Sequence, residues 1–290
     1  NTMDIFTSSL NLIMGDYMTF QSKIGFIGGG KMAEALIKGI IHSQFADSGQ
    51  IITVEPVAER RKELNDLYKI NVADDSQAIA DCGVVILAVK PQVMGLVLDG
   101  LKDVVNENHL IISIAAGIPL SFIESRLCEK CRIIRVMPNT PALVLEGASA
   151  LSGGNATTPD DIKICQNIFS AVGKCVTVDE KYLDAVTGLS GSGPAYVFSF
   201  IEALIDGGVK VGLAREDAEL LAMQTVLGSV RLAMETGEHP AVLRAMVTSP
   251  GGTTIAGLHT LEKEGFRAAV MSCVEEATRR SKELGDLLKG

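Results

Sequence analysis

Three consecutive glycines mark the first stretch of this sequence whose residue types and spacing could do chemistry. Gly28-Gly29-Gly30 follows the apolar run Ile24–Ile27 and leads through Lys31 and Met32 to Ala33, after which Met32, Leu36, Ile37 and Ile40 recur at helical spacing. Strand, G-x-G-x-x-A turn and helix in that order form the fingerprint of a dinucleotide phosphate site. The first glycine, Gly28, makes the tight turn, the second, Gly30, lets backbone approach a pyrophosphate, and Ala33 allows the helix to pack close on the strand. The helix start then meets the anion with unpaired N–H groups and the positive end of its dipole.

Further candidates stand at the ends of later apolar runs. Glu55, in Thr53-Val54-Glu55-Pro56, ends the second run. A carboxylate there can accept a bond from a ribose 2′-hydroxyl and repel a 2′-phosphate, which favours NAD over NADP. Arg60 and Arg61, a turn further on, are read either as solvated helix charges or as groups that reach a 2′-phosphate once Glu55 swings aside. A third run, Gly83–Val89, ends in Lys90-Pro91-Gln92, and ligands of open parallel sheets bind beyond the carboxyl ends of strands, so Ala88, Val89 and Lys90 should face the cofactor. Lys90 either caps the strand end or carries substrate charge. Ser113-Ile114-Ala115-Ala116-Gly117 offers small residues, Ala116 among them, where a cofactor passes. In Val136-Met137-Pro138-Asn139-Thr140-Pro141, Asn139 either bonds a ribose or nicotinamide amide or serves the turn itself.

In the second half, two segments break an otherwise helical pattern: Gly188-Leu189-Ser190-Gly191-Ser192-Gly193-Pro194 and Ser249-Pro250-Gly251-Gly252-Thr253-Thr254. Places where local propensity fails are candidates for function. Gly251 and Gly252 free backbone N–H groups, and Thr253 and Thr254 start a helical pattern through Ile255, Leu258 and Leu261, so the segment makes a hydroxyl-bearing helix start suited to a carboxylate. Neither loop holds a His, Lys or Asp placed for proton transfer, which alcohol or ketone chemistry on a nicotinamide usually needs. An imine relaxes that need because its nitrogen can already carry the proton. Thr254 is then the hydroxyl that could bond the ring nitrogen or pass on a solvent proton.

These residues require two kinds of scaffold. From Lys23 to about Val178, β-branched runs (KIGFIG, QIITVE, GVVILAV, LIISIAA, CRIIRVM, KCVTV) alternate with helical patterns, which predicts a doubly wound α/β domain of Rossmann type over residues 23–180. From about Lys181 the β-branched runs stop, and Ala195–Val211, Arg215–Glu235, Ala241–Met246 and Thr254–Leu284 read as helices of an all-α domain over 181–290. With 290 residues, 47% apolar and 21% charged, the chain is long enough for two cores. A net charge of −9 opposes a broad nucleic-acid or anionic-membrane surface, so an anionic ligand must be held locally. Four histidines, His42, His109, His239 and His259, offer no metal-binding helical pair. Residues 1–22 carry acids but no Lys or Arg, unlike a leader peptide, and read as a poorly ordered extension. No transmembrane helix is expected, since the longest charge-free run, Ala185–Ile201, is rich in Gly, Ser and Pro. Cys128 and Cys131 form a lone CxxC read as two incidental thiols, which fits a reducing cytoplasm.

With these residues assembled, the chain resembles the pyrroline-5-carboxylate reductases over about Lys23–Leu284. The resemblance rests on Gly25 to Ala33, Ala88-Val89-Lys90-Pro91, Val136 to Pro141, Gly191-Ser192-Gly193-Pro194-Ala195-Tyr196, Glu235 to Pro240, and Ser249 to Thr254 followed by Gly265-Phe266-Arg267. It implies reduction of L-1-pyrroline-5-carboxylate to L-proline, the last step of proline biosynthesis, by NADPH or NADH. It places the cofactor on Ile27, Gly28, Gly29, Gly30, Lys31 and Met32, with contacts near Glu55, Ser76, Ala88 to Lys90 and Ala116. The substrate falls beside Glu238, Ser249, Gly251, Gly252, Thr253 and Thr254, with Thr254 the catalytic candidate. Family members form homodimers through the helical domain, often assembled into decamers, with the substrate between subunits. Glu55 departs from NADP-preferring relatives, which carry a small hydroxyl residue there. Two other readings compete. A β-hydroxyacid or coenzyme-F420-linked oxidoreductase shares the two-domain plan, but Lys181, Lys210, Lys263 and Lys282 sit in no motif that would supply the former's lysine. A nucleotide-sensing protein predicts nothing of the Ser249–Thr254 run.

Overall fold

The computed structural model describes residues 20–128 and 130–287, and its chain forms two compact units, one running through Gly191 and taken up again from Arg279, the other spanning Ser192–Thr278. In the first unit eight strands make one sheet: β1 (Lys23–Ile27), β2 (Ile51–Val54), β3 (Asn71–Ala73), β4 (Cys82–Leu87), β5 (Leu110–Ser113), β6 (Arg132–Met137), β7 (Gly147–Gly153) and β8 (Gly173–Thr177). Their order is β3-β2-β1-β4-β5-β6-β7-β8, parallel throughout except where β7 runs antiparallel to β6. Ile24 pairs with Ile51 on one side and Val84 on the other, so β1 is central. The connection reverses direction between β1 and β4, which places a crevice at their carboxyl ends.

The unbroken apolar runs of the sequence follow from cover on both faces. Alternate residues of each strand enter different cores. Ile24, Phe26, Val84, Ile86 and Ile112 pack with α1 (Lys31–His42) and, after α2 (Ala58–Tyr68), with α5 (Pro159–Ser170). Ile27, Val85, Leu87 and Ile111 pack with α3 (Met94–Leu101) and α4 (Leu120–Glu124).

The two strands beyond the six expected have weak local signals. β3 is a three-residue edge, and β7 is built from Gly, Ala and Ser around one leucine, poor strand formers that are held by burial between β6 and β8. By its contacts the sheet unit extends through Gly191, because the short α6 (Leu183–Val186) and the π-turn Thr187–Gly191 pack on the sheet side. Leu183 is fully buried, Glu180 Oε1 accepts the Leu120 N–H at 2.7 Å, and Ser190 O accepts from the Asn139 amide at 3.0 Å. The end of the chain's last helix returns to this unit, where Ser281 Oγ donates to Asp184 Oδ1 at 2.7 Å. Of the N-terminal extension, residues 1–19 lie outside the described residues. Phe20 is ordered against the unit, stacked on Phe45 and bonded to it through its N–H at 3.0 Å.

The second unit is helical: α7 (Gly193–Lys210), α8 (Arg215–Thr236), α9 (Pro240–Met246), α10 (Thr253–Lys263) and α11 (Phe266–Asp286), whose final turns belong to the first unit. The single helix expected over Thr254–Leu284 is two, because Gly265 adopts φ 72°, a left-handed conformation that ends α10. Cys128 and Cys131 are joined in a disulfide and are not a pair of free thiols, their Cα atoms 5.2 Å apart across a turn closed by the Cys131 N–H to Cys128 O bond. Among the described residues, no helix is long and apolar enough to cross a membrane, and no cluster of His, Cys, Asp and Glu could hold a metal ion.

Candidate active site

At the crevice between β1 and β4 lies a cleft of about 650 Å³. Ile27, Gly28, Gly30, Glu55, Ser76, Ala88, Val89 and Lys90, eight of the residues singled out in the sequence, line it. Gly28 sits at φ 96°, and a Cβ there would come within 2.7 Å of Ala88 O, so only glycine makes this turn. The turn is tied to both neighbours of β1, to the end of β4 through the Ala88 N–H to Ile27 O bond and to the end of β2 through the Gly28 N–H to Val54 O bond, both 2.8 Å. Gly30 caps α1 in an extended conformation with no side-chain partner, and a Cβ on it would meet nothing within 4 Å. Open space over an uncapped helix start fits a dinucleotide pyrophosphate, and the cleft volume is that of a cofactor site.

The cleft's far wall was not legible beforehand. Val93, Leu96, Val97, Gly100 and Leu101 give it an apolar side, with Leu96 exposed, suited to a flat ring. Their helical spacing is the signal that could have found them, but it is also that of a plain core helix.

Glu55 closes the other wall. Its Oε2 accepts the Gly29 N–H at 2.8 Å and its Oε1 the Val57 N–H at 3.0 Å, so the carboxylate is tied to the glycine turn. Arg60 is neither a solvated charge nor a free anion ligand. Its Nε donates to Gly29 O at 2.7 Å, its Nη2 to Glu34 at 2.6 Å and its Nη1 to Glu63 at 2.7 Å, with the side chain 16% exposed. Burial lowers the Arg60 pKa, but bonds to Glu34 and Glu63 outweigh it and hold the guanidinium above its ordinary value. Burial likewise raises Glu34, yet bonds from Arg60, Lys31 and Tyr68 leave its carboxyl below the usual range. Lys31 is thus paired with Glu34 at 3.1 Å on the surface. Arg61 Nη1 donates to the carbonyls of Glu55 and Pro56, and its Nη2 to Asp74 at 3.3 Å.

Met32 and Ala116 do not line the cleft. Asn139 serves the turn: its Oδ1 accepts the Ala148 N–H at 2.8 Å and its Nδ2 donates to Ser190 O, which ties β6 to β7 and to the π-turn. Of its two readings, these bonds belong to the turn.

In the second unit the Ser249–Thr254 run folds as a turn closed by the Gly252 N–H to Ser249 O bond at 3.1 Å. Gly252 then caps α10 with no side-chain partner, and Thr253 and Thr254 form the first helical positions. Neither threonine makes a side-chain hydrogen bond among the described residues, so two hydroxyls and the first N–H groups of α10 stand together. Gly251 and Gly252 also border a groove of about 850 Å³ shared with Arg244, Ile255, His259 and Glu262. Glu238 is exposed, its N–H donated to Thr236 Oγ1, just before His239 caps α9 by accepting the Ala241 N–H.

The sequence pattern of pyrroline-5-carboxylate reductase dimerisation regions matches residues 180–284, and that of coenzyme-F420-dependent NADP oxidoreductases matches residues 23–117. A pyrroline-5-carboxylate reductase of Methanosarcina acetivorans is 50% identical over 264 residues, covering 91% of this chain and 98% of that one. One from Arabidopsis thaliana is 48% identical, covering 90% and 95%. Among solved structures, a pyrroline-5-carboxylate reductase from Coxiella burnetii aligns with TM-score 0.87 at 36% identity over 91% of this chain and 99% of that one. The pyrroline carboxylate reductase of Plasmodium falciparum, solved with NADP bound, aligns with TM-score 0.82 at 35% identity, covering 91% and 98%.

Proposed function

The chain belongs to the pyrroline-5-carboxylate reductase family, and we propose that it reduces L-1-pyrroline-5-carboxylate to L-proline, the last step of proline biosynthesis. The observation that carries this reading is the uncapped, hydroxyl-bearing start of α10 in the same chain as a glycine-turn cleft. The first half alone is common to many dehydrogenases. The Ser-Pro-Gly-Gly-Thr-Thr segment in a helical unit is what a small cyclic imino acid needs.

Ile27, Gly28 and Gly29 shape the turn that brings backbone close to the dinucleotide's phosphates, and the helix start at Gly30, Lys31 and Met32 turns its N–H groups toward them. Glu55 and Ser76 take the ribose side, Val93, Leu96 and Val97 the adenine, and Ala88, Val89 and Lys90 follow the cofactor along the strand end, with Ala116 beyond the cleft. A bound NADH or NADPH supplies the hydride. The N–H groups opened by Gly251 and Gly252 and carried into Thr253 and Thr254 hold the substrate carboxylate, with Ser249 fixing the turn and Glu238 beside the ring. Thr254 Oγ1 bonds the ring nitrogen, which keeps the C=N bond polarised toward an iminium. Anion binding by backbone dipoles reconciles an acidic chain with two anionic ligands. The enzyme acts as a homodimer through its helical unit, with dimers assembling into decamers in the cytoplasm.

The test follows oxidation of NADH and of NADPH on addition of pyrroline-5-carboxylate. Substrate-dependent oxidation is expected, and its absence with both cofactors removes the assignment. Thr254→Ala should lower kcat/KM by about 10- to 1,000-fold, from below to within the roughly 100- to 10,000-fold that a positioned proton-transfer group contributes. Unchanged kinetics would take Thr254 out of the mechanism.

A further inference from the structure

We propose that the cleft rejects the 2′-phosphate, so that NADH is this chain's hydride source, with Glu55 making the selection and Arg60 positioning it. The inference rests on the dinucleotide reading of the cleft.

Glu55 ends β2 on the cleft wall, and each of its oxygens accepts a backbone N–H, one from Gly29 and one from Val57. Each keeps a further lone pair, which a ribose hydroxyl can satisfy by donating and a phosphate dianion cannot. Swinging the carboxylate aside to admit a phosphate would strip two N–H groups of their partner. The cations that could compensate are already engaged. Three donors of Arg60 are held by Gly29 O, Glu34 and Glu63, and Arg61 is held by two carbonyls and Asp74.

The surroundings add to the bias. Glu34, Glu55, Glu63 and Asp74 stand against Arg60, Arg61 and the Lys31 paired with Glu34, so a 2′-phosphate would still enter a neighbourhood of net negative charge. Lys90 also borders the cleft, but it follows β4, and β1 lies between β4 and β2. Arg60 takes part without touching a phosphate. By joining the Gly29 carbonyl to Glu34 of α1 it fixes the loop whose N–H, one atom chain away, holds Glu55.

Titration of the enzyme with NADH and NADPH, followed by nicotinamide fluorescence, reads the selection directly. The wild type should bind NADPH at least about tenfold more weakly than NADH, the size expected when like charges are brought together. Glu55→Ser should shift the ratio of Kd values toward NADPH by about tenfold, and Glu55→Gln, which keeps the shape and removes the charge, should shift it in the same direction. Arg60→Ala, in protein that retains its native circular dichroism, should raise Kd and KM for NADH more than for NADPH with kcat held, because Glu55 loses the support of its loop. Loss confined to NADPH would make Arg60 a phosphate ligand and overturn the proposal. Equal Kd values in the wild type would overturn it too while leaving the dinucleotide site intact, whereas failure to bind either cofactor would overturn the reading beneath it.

Discussion

Glu34 shows how much of the site depends on one residue that no motif identifies. It lies in the first turn of α1, where an acid is ordinarily explained by the helix dipole. Here its two oxygens collect Arg60, Lys31 and the Tyr68 hydroxyl, the last at 3.1 Å. Burial acts to raise its pKa, and those three bonds reverse the sign and leave it below the ordinary 4.5. A carboxyl whose folded pKa is depressed contributes stability above its unfolded value and loses it as pH falls through the folded one. Glu34→Gln should therefore be less stable than wild type at pH 7, and the gap in urea midpoint should close as pH falls below 4.5. A gap that stays constant through that window would show that the charge contributes nothing. The turn at Gly28, the helix start at Gly30 and the place of Glu55 at the end of β2 were legible because they depend on position along the chain. Arg60 and Glu34 were not, since their partnership joins residues 26 positions apart and pairs two helices that only the folded sheet brings together.

At the level of elements, the same divide separates local signals from long-range ones. The start of α5 could be read directly: Thr158 accepts the Asp161 N–H while Asp161 accepts the Thr158 N–H, a reciprocal cap with Pro159 at the first helical position. What the sequence does not show is that Asp161 is 1% exposed and also receives Arg132 of β6 at 2.7 Å, so the cap doubles as the anchor of α5 on the sheet. Thr158→Ala should lower the unfolding free energy by about 1 kcal/mol, the usual worth of a cap. Asp161→Ala should cost about 3 kcal/mol or more, because it also leaves Arg132 without its carboxylate. Chemical denaturation of both variants checks the difference, and equal losses would mean that the ion pair adds nothing to the cap. β7 lies at the opposite extreme. Gly147–Gly153 has no strand propensity of its own and is held by β6 and β8, pairings that no window of sequence contains.

For the whole molecule, the helical periodicity was clear but its meaning was not, since a core face and a partner face have the same spacing. The structure separates them. In α7 and α8 the buried side chains are only Ala218 and Ala222, while Phe198 is 66% exposed and Leu220 65%, with Leu221, Val230 and Met234 also in the open. Burying one such leucine or phenylalanine is worth about 1.5–3 kcal/mol, so helices that leave so many outside need a second surface to cover them. The match of residues 180–284 to a dimerisation region fits a second copy of the chain as that cover. Sedimentation should accordingly find a dimer or a larger assembly, and Leu220→Glu, which sets a charge in the apolar face, should shift it toward monomer. The cleft lies in the unit built on the sheet, so NADH binding should survive in that variant with Kd within about twofold, while turnover falls with the fraction of dimer. A variant that remains dimeric would place the interface on another face of the unit. A wild type that sediments as a monomer would leave those apolar residues unexplained and remove the homodimer from the proposed function.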